Sequence, residues 1–108
     1  MKLQRGALAI DSRLDLHGMT QTLAHRRLIG FIRQAQSQGY RCVLVITGKG
    51  KPQTTQGWYD RPGVLREMVP HWLAASDLKP MILSVTSAAR HHGGSGAYYV
   101  YLRRDRFR

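Results

Sequence analysis

The chain has 108 residues, which suffices for one domain with a single core and is too short for two domains of ordinary size. Its 17 Lys and Arg against 6 Asp and Glu give a formal net charge of +11 with His counted as neutral, and this excess favours a polyanionic partner, above all nucleic acid. One Cys and the lack of a long apolar run exclude a disulfide-stapled fold and a membrane span, and because the first residues do not form a secretory signal we expect a cytoplasmic protein.

The first half of the chain predicts a strand, a helix and a second strand. Residues Arg13 to His17 alternate between apolar and polar side chains, which indicates a short strand. Thr20 is suited to cap a helix that runs to about Gln38 and stops at Gly39. The apolar, β-branched run from Arg41 to Thr47 predicts a buried strand in the centre of the sheet.

The second half predicts a long loop, a helix and two strands. The loop runs from Gly48 to about Arg61, and Pro62 is placed for the first turn of the second helix. The third and fourth strands are predicted over Met81–Thr86 and Ala97–Arg103. The side chains predicted to form the buried helix faces are Leu23, Ala24, Leu28, Phe31, Ile32 and Ala35 in the first helix, and Val64, Leu65, Met68, Trp72 and Leu73 in the second.

This βαβαββ order predicts the α/β class, as a two-layer sandwich of two helices on a mixed four-stranded sheet. Strands joined through a helix are normally parallel, whereas the short link between the last two strands favours an antiparallel pair. We expect residues 1–12 to be an N-terminal extension or linker, 13–104 to be the domain and 105–108 to be a basic tail.

Three segments at predicted strand ends carry candidate chemistry: LDLHG at 14–18, TGKG at 47–50 and HHGGSGA at 91–97. In the first, Asp15 and His17 share a strand face, so the carboxylate can orient the imidazole for proton transfer near neutral pH. The alternative is a strand-end pair that only caps a turn.

The other two segments are glycine turns next to basic side chains. Lys49 lies between two glycines whose exposed amides could hold a phosphate, although a plain turn leaving a strand is the simpler explanation. Residues 90–92, Arg-His-His, form a compact basic cluster suited to phosphate contact. The GGSG that follows could instead be a flexible link.

Other residues give weaker indications. The histidines lack the spacing of a zinc site, so no metal ligands are predicted. Cys42 lies inside an apolar strand and is expected to be a buried structural thiol. Trp58 and Tyr59, in the polar loop, are candidates for stacking on a base.

Taken together, in this order and spacing, the three segments resemble the motifs of the small MutS-related, or Smr, domain, which look like LDLHG, a TGKG-type turn and HGGxGA. The resemblance covers about Arg13 to Arg104 and is strongest to the stand-alone bacterial members. It implies a fold similar to the C-terminal domain of bacterial translation initiation factor three. It also implies nucleic-acid binding and, for several members, endonuclease activity on DNA or RNA.

The family ties the Asp-x-His of its first motif, here Asp15 and His17, to cleavage. The resemblance implies substrate contact for the other two motifs. The loop from Lys51 to Pro62 is longer than its family counterpart, which puts a substrate preference inferred from relatives in doubt.

These features predict an endonuclease in which Asp15 orients His17 for proton transfer and His92 stabilises the charge that develops on the phosphate. The residues predicted to contact nucleic acid are Gly48, Lys49, Gly50, Lys51, Arg90, Gly93, Gly94 and Gly96. DNA nicking or cleavage is favoured, and RNA is the alternative substrate. The rival hypothesis is a basic nucleic-acid or ribosome binding module without catalysis.

The substrate determines the expected cofactor. RNA carries its own nucleophile, the 2′-hydroxyl, so acid and base groups can suffice. DNA cleavage needs water and usually a divalent cation such as Mg²⁺, which Asp15 alone among the motif residues could help to hold. No membrane partner is expected, and a monomer is assumed.

Overall fold

The structure, a computed structural model, describes residues 9–48 and 63–104. Its strands and helices follow the predicted βαβαββ order. They are β1 (Ser12–Asp15), α1 (Gln21–Ser37), β2 (Cys42–Ile46), α2 (Val64–Ala74), β3 (Ile82–Ser87) and β4 (Ala97–Leu102). The predictions for Lys49, Gly50, Lys51, Trp58, Tyr59, Pro62 and the 105–108 tail fall on residues outside the described ranges.

The strands form one mixed sheet in the order β1-β2-β4-β3. β1 and β2 are parallel, and β4 is antiparallel to both β2 and β3. The mixed sheet, the antiparallel final pair and the central position of β2 are therefore confirmed. Because of these directions, the ends of β1, β2 and β3 and the start of β4 lie at one edge of the sheet, which is where the three motifs occur.

Both helices pack on one face of the sheet and form the larger core with it. Thr20 caps α1, as predicted, by accepting a hydrogen bond from Leu23 N at 3.3 Å. The buried residues of this core come from both helices and all four strands. They include Leu14, Leu16, Leu28, Ile32, Val43, Val45, Val69, Trp72, Leu73, Ile82, Val100 and Leu102.

Three residues on the predicted helix faces are less buried than expected: Leu23 and Phe31 in α1, of which Phe31 is partly buried, and Met68 in α2. Leu23 is 43% exposed rather than buried, because it lies in the first turn of α1 at the margin of the apolar stripe. In α2 the fully buried position is Val69, and Met68 is only partly buried. Val69 follows Leu65 by four residues and precedes Leu73 by four, so it lies in the middle of the buried row.

A smaller core lies on the opposite face of the sheet from α1 and α2. Its buried members are Cys42, Leu44, Ala88, Ala97 and Tyr99, and Ile10 packs against them. The prediction that Cys42 is buried is confirmed. Ile10 belongs to the segment expected to be an extension, so the packed part of the chain reaches further towards the N-terminus than residue 13.

β1 is shifted from its predicted bounds: it starts at Ser12 and ends at Asp15. Leu16 N still donates to Ile46 O at 2.7 Å, but Met19 N donates back to Leu16 O at 3.0 Å, which closes a turn. His17 therefore lies in this turn and not on the strand. Within the described ranges, neither helix has the length and apolar character needed to cross a membrane.

Candidate active site

The second and third motifs are joined by hydrogen bonds to a single carbonyl. Thr47 N and Gly48 N both donate to Gly96 O, at 2.8 and 3.0 Å. The buried Thr47 hydroxyl lies 3.2 Å from the same oxygen and 2.9 Å from Gly48 O. These contacts hold the turn after β2 against the turn before β4.

The first motif contacts the second through Gly48. The backbone of Gly48 has a φ of +80°, and a Cβ built on it would lie 3.3 Å from the Cβ of His17. Any side chain at this position would press on His17. The three segments chosen from the sequence thus meet at one place.

Asp15 and His17 form a hydrogen-bonded pair at this edge. The carboxylate oxygen Oδ1 of Asp15 lies 2.6 Å from Nδ1 of His17 and accepts a second hydrogen bond, from His17 N, at 3.0 Å. Both side chains are more than half exposed. The predicted pairing is present, although the turn after β1 brings it about rather than a shared strand face.

The pair favours an ionised carboxyl on Asp15. Partial burial by itself raises the pKa of Asp15, but the hydrogen bonds and the positive charge of His17 outweigh it and lower that pKa below its usual value. An ionised carboxylate only accepts hydrogen bonds, so His17 carries a proton on Nδ1. The lone pair of the neutral imidazole is then on Nε2, where it can accept a proton.

The third motif forms two short 3-10 turns, Arg90–His92 and Gly94–Gly96, rather than a featureless link. Gly93 joins them with a φ of +116°, and a Cβ there would lie only 2.9 Å from the Cβ of Ala97. Glycine is required here both for the backbone conformation and for the close approach.

The glycine amides are occupied within the protein. Gly48 N donates to Gly96 O, Gly93 N to Arg90 O, Gly94 N to Ala89 O and Gly96 N to Gly93 O. The idea that glycine amides hold a phosphate therefore does not apply to these four N–H groups. Among the described residues predicted to contact nucleic acid, Arg90 is the one with a charged side chain, and that side chain is exposed. Its contact with phosphate stays a prediction.

His92 is partly buried beside Tyr99. Its Nδ1 lies 2.7 Å from the Tyr99 hydroxyl, and the two rings meet edge to face with centroids 5.6 Å apart. Burial, the neighbouring His91 and the Arg13 guanidinium each disfavour a second proton and lower the pKa of His92. The lowered pKa therefore favours the uncharged imidazole of His92.

The described residues contain no group of three or more His, Cys, Asp or Glu side chains that could hold a metal ion. Asp15 fits the carboxylate needed for a divalent cation only in part, because its Oδ1 is already engaged by His17. A divalent cation therefore stays a prediction for a DNA substrate only.

Sequence reasoning missed three residues that shape this site. Tyr99 was predicted only as one residue of an alternating strand and Arg13 only as the start of β1, and Thr47 was predicted as the first residue of the TGKG segment but with no role of its own. Their roles depend on contacts between distant segments. The local signal is that Tyr99 and Arg13 alternate with the strand residues that face the helices, which places both on the other face of the sheet.

The Smr domain family model matches residues 14–103. The chain belongs to the Smr domain family. The match includes all three motifs and the elements between them, and it confirms the resemblance that the motifs indicated. The outer limits predicted for the N-terminal extension and the tail stay predictions.

Two curated relatives illustrate the Smr proteins that this chain is similar to. It is 33% identical over 103 residues to the probable DNA endonuclease SmrA of Escherichia coli strain K12, covering 95% of this chain and 51% of SmrA. It is 32% identical over 104 residues to the ribosome rescue factor SmrB of Tolumonas auensis, covering 96% of this chain and 52% of SmrB. The chain spans about half the length of these relatives.

Two solved structures share the fold. The Smr domain of Thermus thermophilus MutS2 superposes with a TM-score of 0.67 at 24% identity, covering 85% of this chain and 98% of that domain. YdaL, a stand-alone small MutS-related protein from Escherichia coli, superposes with a TM-score of 0.65 at 34% identity, covering 85% of this chain and 64% of YdaL. The α/β fold with a mixed four-stranded sheet is that of Smr domains.

Proposed function

We propose that this Smr domain is a nucleic-acid endonuclease that cleaves phosphodiester bonds with the Asp15–His17 pair. The observation that carries the proposal is the 2.6 Å contact between Asp15 Oδ1 and His17 Nδ1. It leaves Nε2 of an exposed imidazole free to take a proton, whereas a protein that only binds nucleic acid has no need of such a pair.

In this mechanism His17 is the general base. Its Nε2 accepts the proton of the attacking hydroxyl, which is water for DNA or the 2′-hydroxyl for RNA, as the new P–O bond forms. The P–O bond to the leaving oxygen breaks and that oxygen takes a proton from solvent water, while the Asp15 carboxylate stabilises the His17 imidazolium until it returns its proton to solvent. A neutral His92 can donate a hydrogen bond to a phosphate oxygen as negative charge builds up.

Charge supports a polynucleotide substrate. The net charge of +11 exceeds what one small anion requires, and the exposed Arg90 lies two residues from His92. Among the relatives, one is named as a probable DNA endonuclease and others as ribosome rescue factors. Both DNA and RNA are therefore tested as substrates.

The test compares the parent protein with His17→Ala on labelled DNA and RNA of matched sequence, with linear and supercoiled DNA included, each with and without EDTA. His71→Ala is the matched control, because it removes an exposed histidine from α2, on the helix side of the sheet. We expect His17→Ala to lower the cleavage rate by about 10²–10⁴-fold and to leave binding affinity unchanged, while His71→Ala cuts at the parental rate.

The outcomes separate the two hypotheses. Cleavage that depends on His17 supports the endonuclease, and the EDTA response tells metal-assisted hydrolysis from attack by the 2′-hydroxyl. Tight binding without cleavage would favour the rival hypothesis of a non-catalytic binding module, and cleavage that survives His17→Ala at the parental rate would rule out the catalytic role of His17.

A further inference from the structure

Tyr99 places a hydroxyl group inside the site from the middle of β4. The residue is only 8% exposed and belongs to the smaller core, on the face of the sheet opposite the helices. On β2 it pairs with Leu44, and Leu44 pairs in turn with Arg13 on β1. Its ring is thus fixed by packing, and its hydroxyl reaches the turn that carries His92.

The Tyr99 hydroxyl makes two hydrogen bonds to that turn. Its oxygen accepts the Ala89 N–H at 3.0 Å, just before the 3-10 turn begins. The same oxygen lies 2.7 Å from Nδ1 of His92. One buried phenol therefore fixes both the start of the turn and the ring of the histidine.

The direction of the second bond follows from the protons available. The hydroxyl oxygen already accepts the Ala89 N–H, and its own proton needs an acceptor. Among the contacts of the described residues, the acceptor within reach of that proton is His92 Nδ1. Nδ1 of a neutral imidazole accepts only when the ring proton is on Nε2.

We propose that Tyr99 is a positioning residue that holds His92 in the Nε2–H tautomer and so makes its outer nitrogen a hydrogen-bond donor. The catalytic meaning of this assignment rests on the proposed function. The neutral form of His17 has the opposite tautomer, with the proton on Nδ1 facing Asp15 and the lone pair on Nε2. The two imidazoles thus differ in role, with His17 as proton acceptor and His92 as donor to the phosphate.

The donor role needs the tautomer and not only the ring. If the proton were on Nδ1, the outer nitrogen of His92 would present a lone pair to the phosphate, and a lone pair facing an anion is repulsive. A charged His92 would also donate, but its lowered pKa disfavours that form. A neutral His92 held in the Nε2–H tautomer donates a hydrogen bond without adding a positive charge to the site.

The first test reads the tautomer directly. Long-range ¹H–¹⁵N correlation spectra distinguish a protonated Nε2 from a protonated Nδ1, and in the parent protein we expect His92 to be protonated on Nε2. Tyr99→Phe keeps the ring and removes the hydroxyl, so we expect a mixture of both tautomers. Tyr101→Phe is the matched control, because it removes the neighbouring hydroxyl, 6.3 Å away between ring centroids, and leaves His92 unchanged. An Nδ1–H form in the parent, or an unchanged Nε2–H form in Tyr99→Phe, overturns the assignment.

The second test measures cleavage. We expect Tyr99→Phe to lower kcat by about tenfold with KM unchanged, which is less than the about 10²–10⁴-fold contribution of a positioned acid or base. Tyr101→Phe should keep the parental kcat. If Tyr99→Phe changes the tautomer of His92 but leaves kcat unchanged, Tyr99 has no role in catalysis. If the parent does not cleave at all, the proposed function fails, while the spectra still determine whether Tyr99 sets the tautomer.

Discussion

Gly48 lies beside His17 although 31 positions separate them in the sequence. A Cβ on Gly48 would lie 3.3 Å from the Cβ of His17, closer than side chains normally approach, and the φ of +80° suits glycine alone. The glycine of the second motif therefore makes room for the histidine of the first. The Gly48 N–H already donates to Gly96 O. Gly48 therefore matters at this site because it has no side chain.

This contact predicts the effect of Gly48→Ala. Placing an L-residue in the left-handed region costs about 1–2 kcal/mol, and the added methyl group also pushes on His17. We expect a loss of stability beyond that backbone cost and a displaced His17 ring. Urea unfolding and the NMR signals of the His17 ring measure the two effects.

Gly18→Ala provides the matched control for this prediction. Gly18 has nearly the same φ, +79°, but a Cβ there would meet nothing within 4 Å. It therefore carries the backbone cost without the contact. Equal losses of stability in the two variants, with His17 signals unmoved in both, would contradict a steric role for Gly48.

Periodicity sufficed to predict the elements of this fold. The alternation in β4 and the apolar run in β2 determined both strands within a residue, and Thr20 marked the start of α1. The end of β1 was misplaced because Leu16 and His17 continue the alternation while the backbone already turns. Alternating side chains do not reveal where a chain leaves the sheet.

The site was predicted in its parts and not in its connections. The three motifs were found as short patterns of His, Asp and Gly, whose chemistry is visible locally. Tyr99 was not, because a tyrosine in a strand has the same pattern whether its hydroxyl is idle or bonded to His92. Likewise, the glycine amides pair with carbonyls elsewhere in the fold, and only the folded chain shows that they are occupied.

Asp15 should give the protein a measurable acid dependence. A carboxyl with a lowered pKa is more easily protonated in the unfolded chain, so its stabilising effect is complete above about pH 5 and is lost as the pH falls through its native pKa. We expect the urea midpoint of the parent to fall more steeply below about pH 4 than that of Asp15→Asn. Asp77→Asn, which removes an exposed carboxylate after α2, controls for net charge. Identical profiles for parent and Asp15→Asn would rule out this contribution.

Cys42 should be unreactive in the native protein. The thiol is buried in the smaller core, and desolvation together with the nearby Asp11 carboxylate raises its pKa to about 11. At pH 8 we expect no reaction with a disulfide reagent such as DTNB in buffer and reaction of one thiol per chain in denaturant. Rapid native labelling would show that the smaller core opens or that Cys42 is not packed as described.

Arg90 should contribute to nucleic-acid binding through charge rather than base contacts. A protein that lacks one phosphate contact displaces about one counterion fewer from the nucleic acid when it binds. Arg90→Ala should therefore weaken binding similarly for all sequences and reduce the slope of log K against log salt by about 1. Arg33→Ala, an exposed arginine on α1, is the control for net charge and should leave the slope unchanged. An unaltered slope in Arg90→Ala would remove Arg90 from the binding surface.

Arg13, on β1, should lower the pKa of His92, which lies in the 3-10 turn between β3 and β4. Burial makes the largest contribution to that lowered pKa, and His91 and the Arg13 guanidinium add to it by disfavouring a second cation. Arg13→Gln removes the guanidinium charge, so protonation of His92 becomes easier and its pKa moves part of the way back towards 6.5. A pH titration of the His92 ring by NMR measures this shift, with Arg33→Gln as the control from the helix face. The proposed mechanism uses an uncharged His92, so Arg13→Gln should also raise the pH below which this histidine becomes charged and the proposed cleavage falls. A His92 titration unchanged by Arg13→Gln would show that the two side chains are not electrostatically coupled.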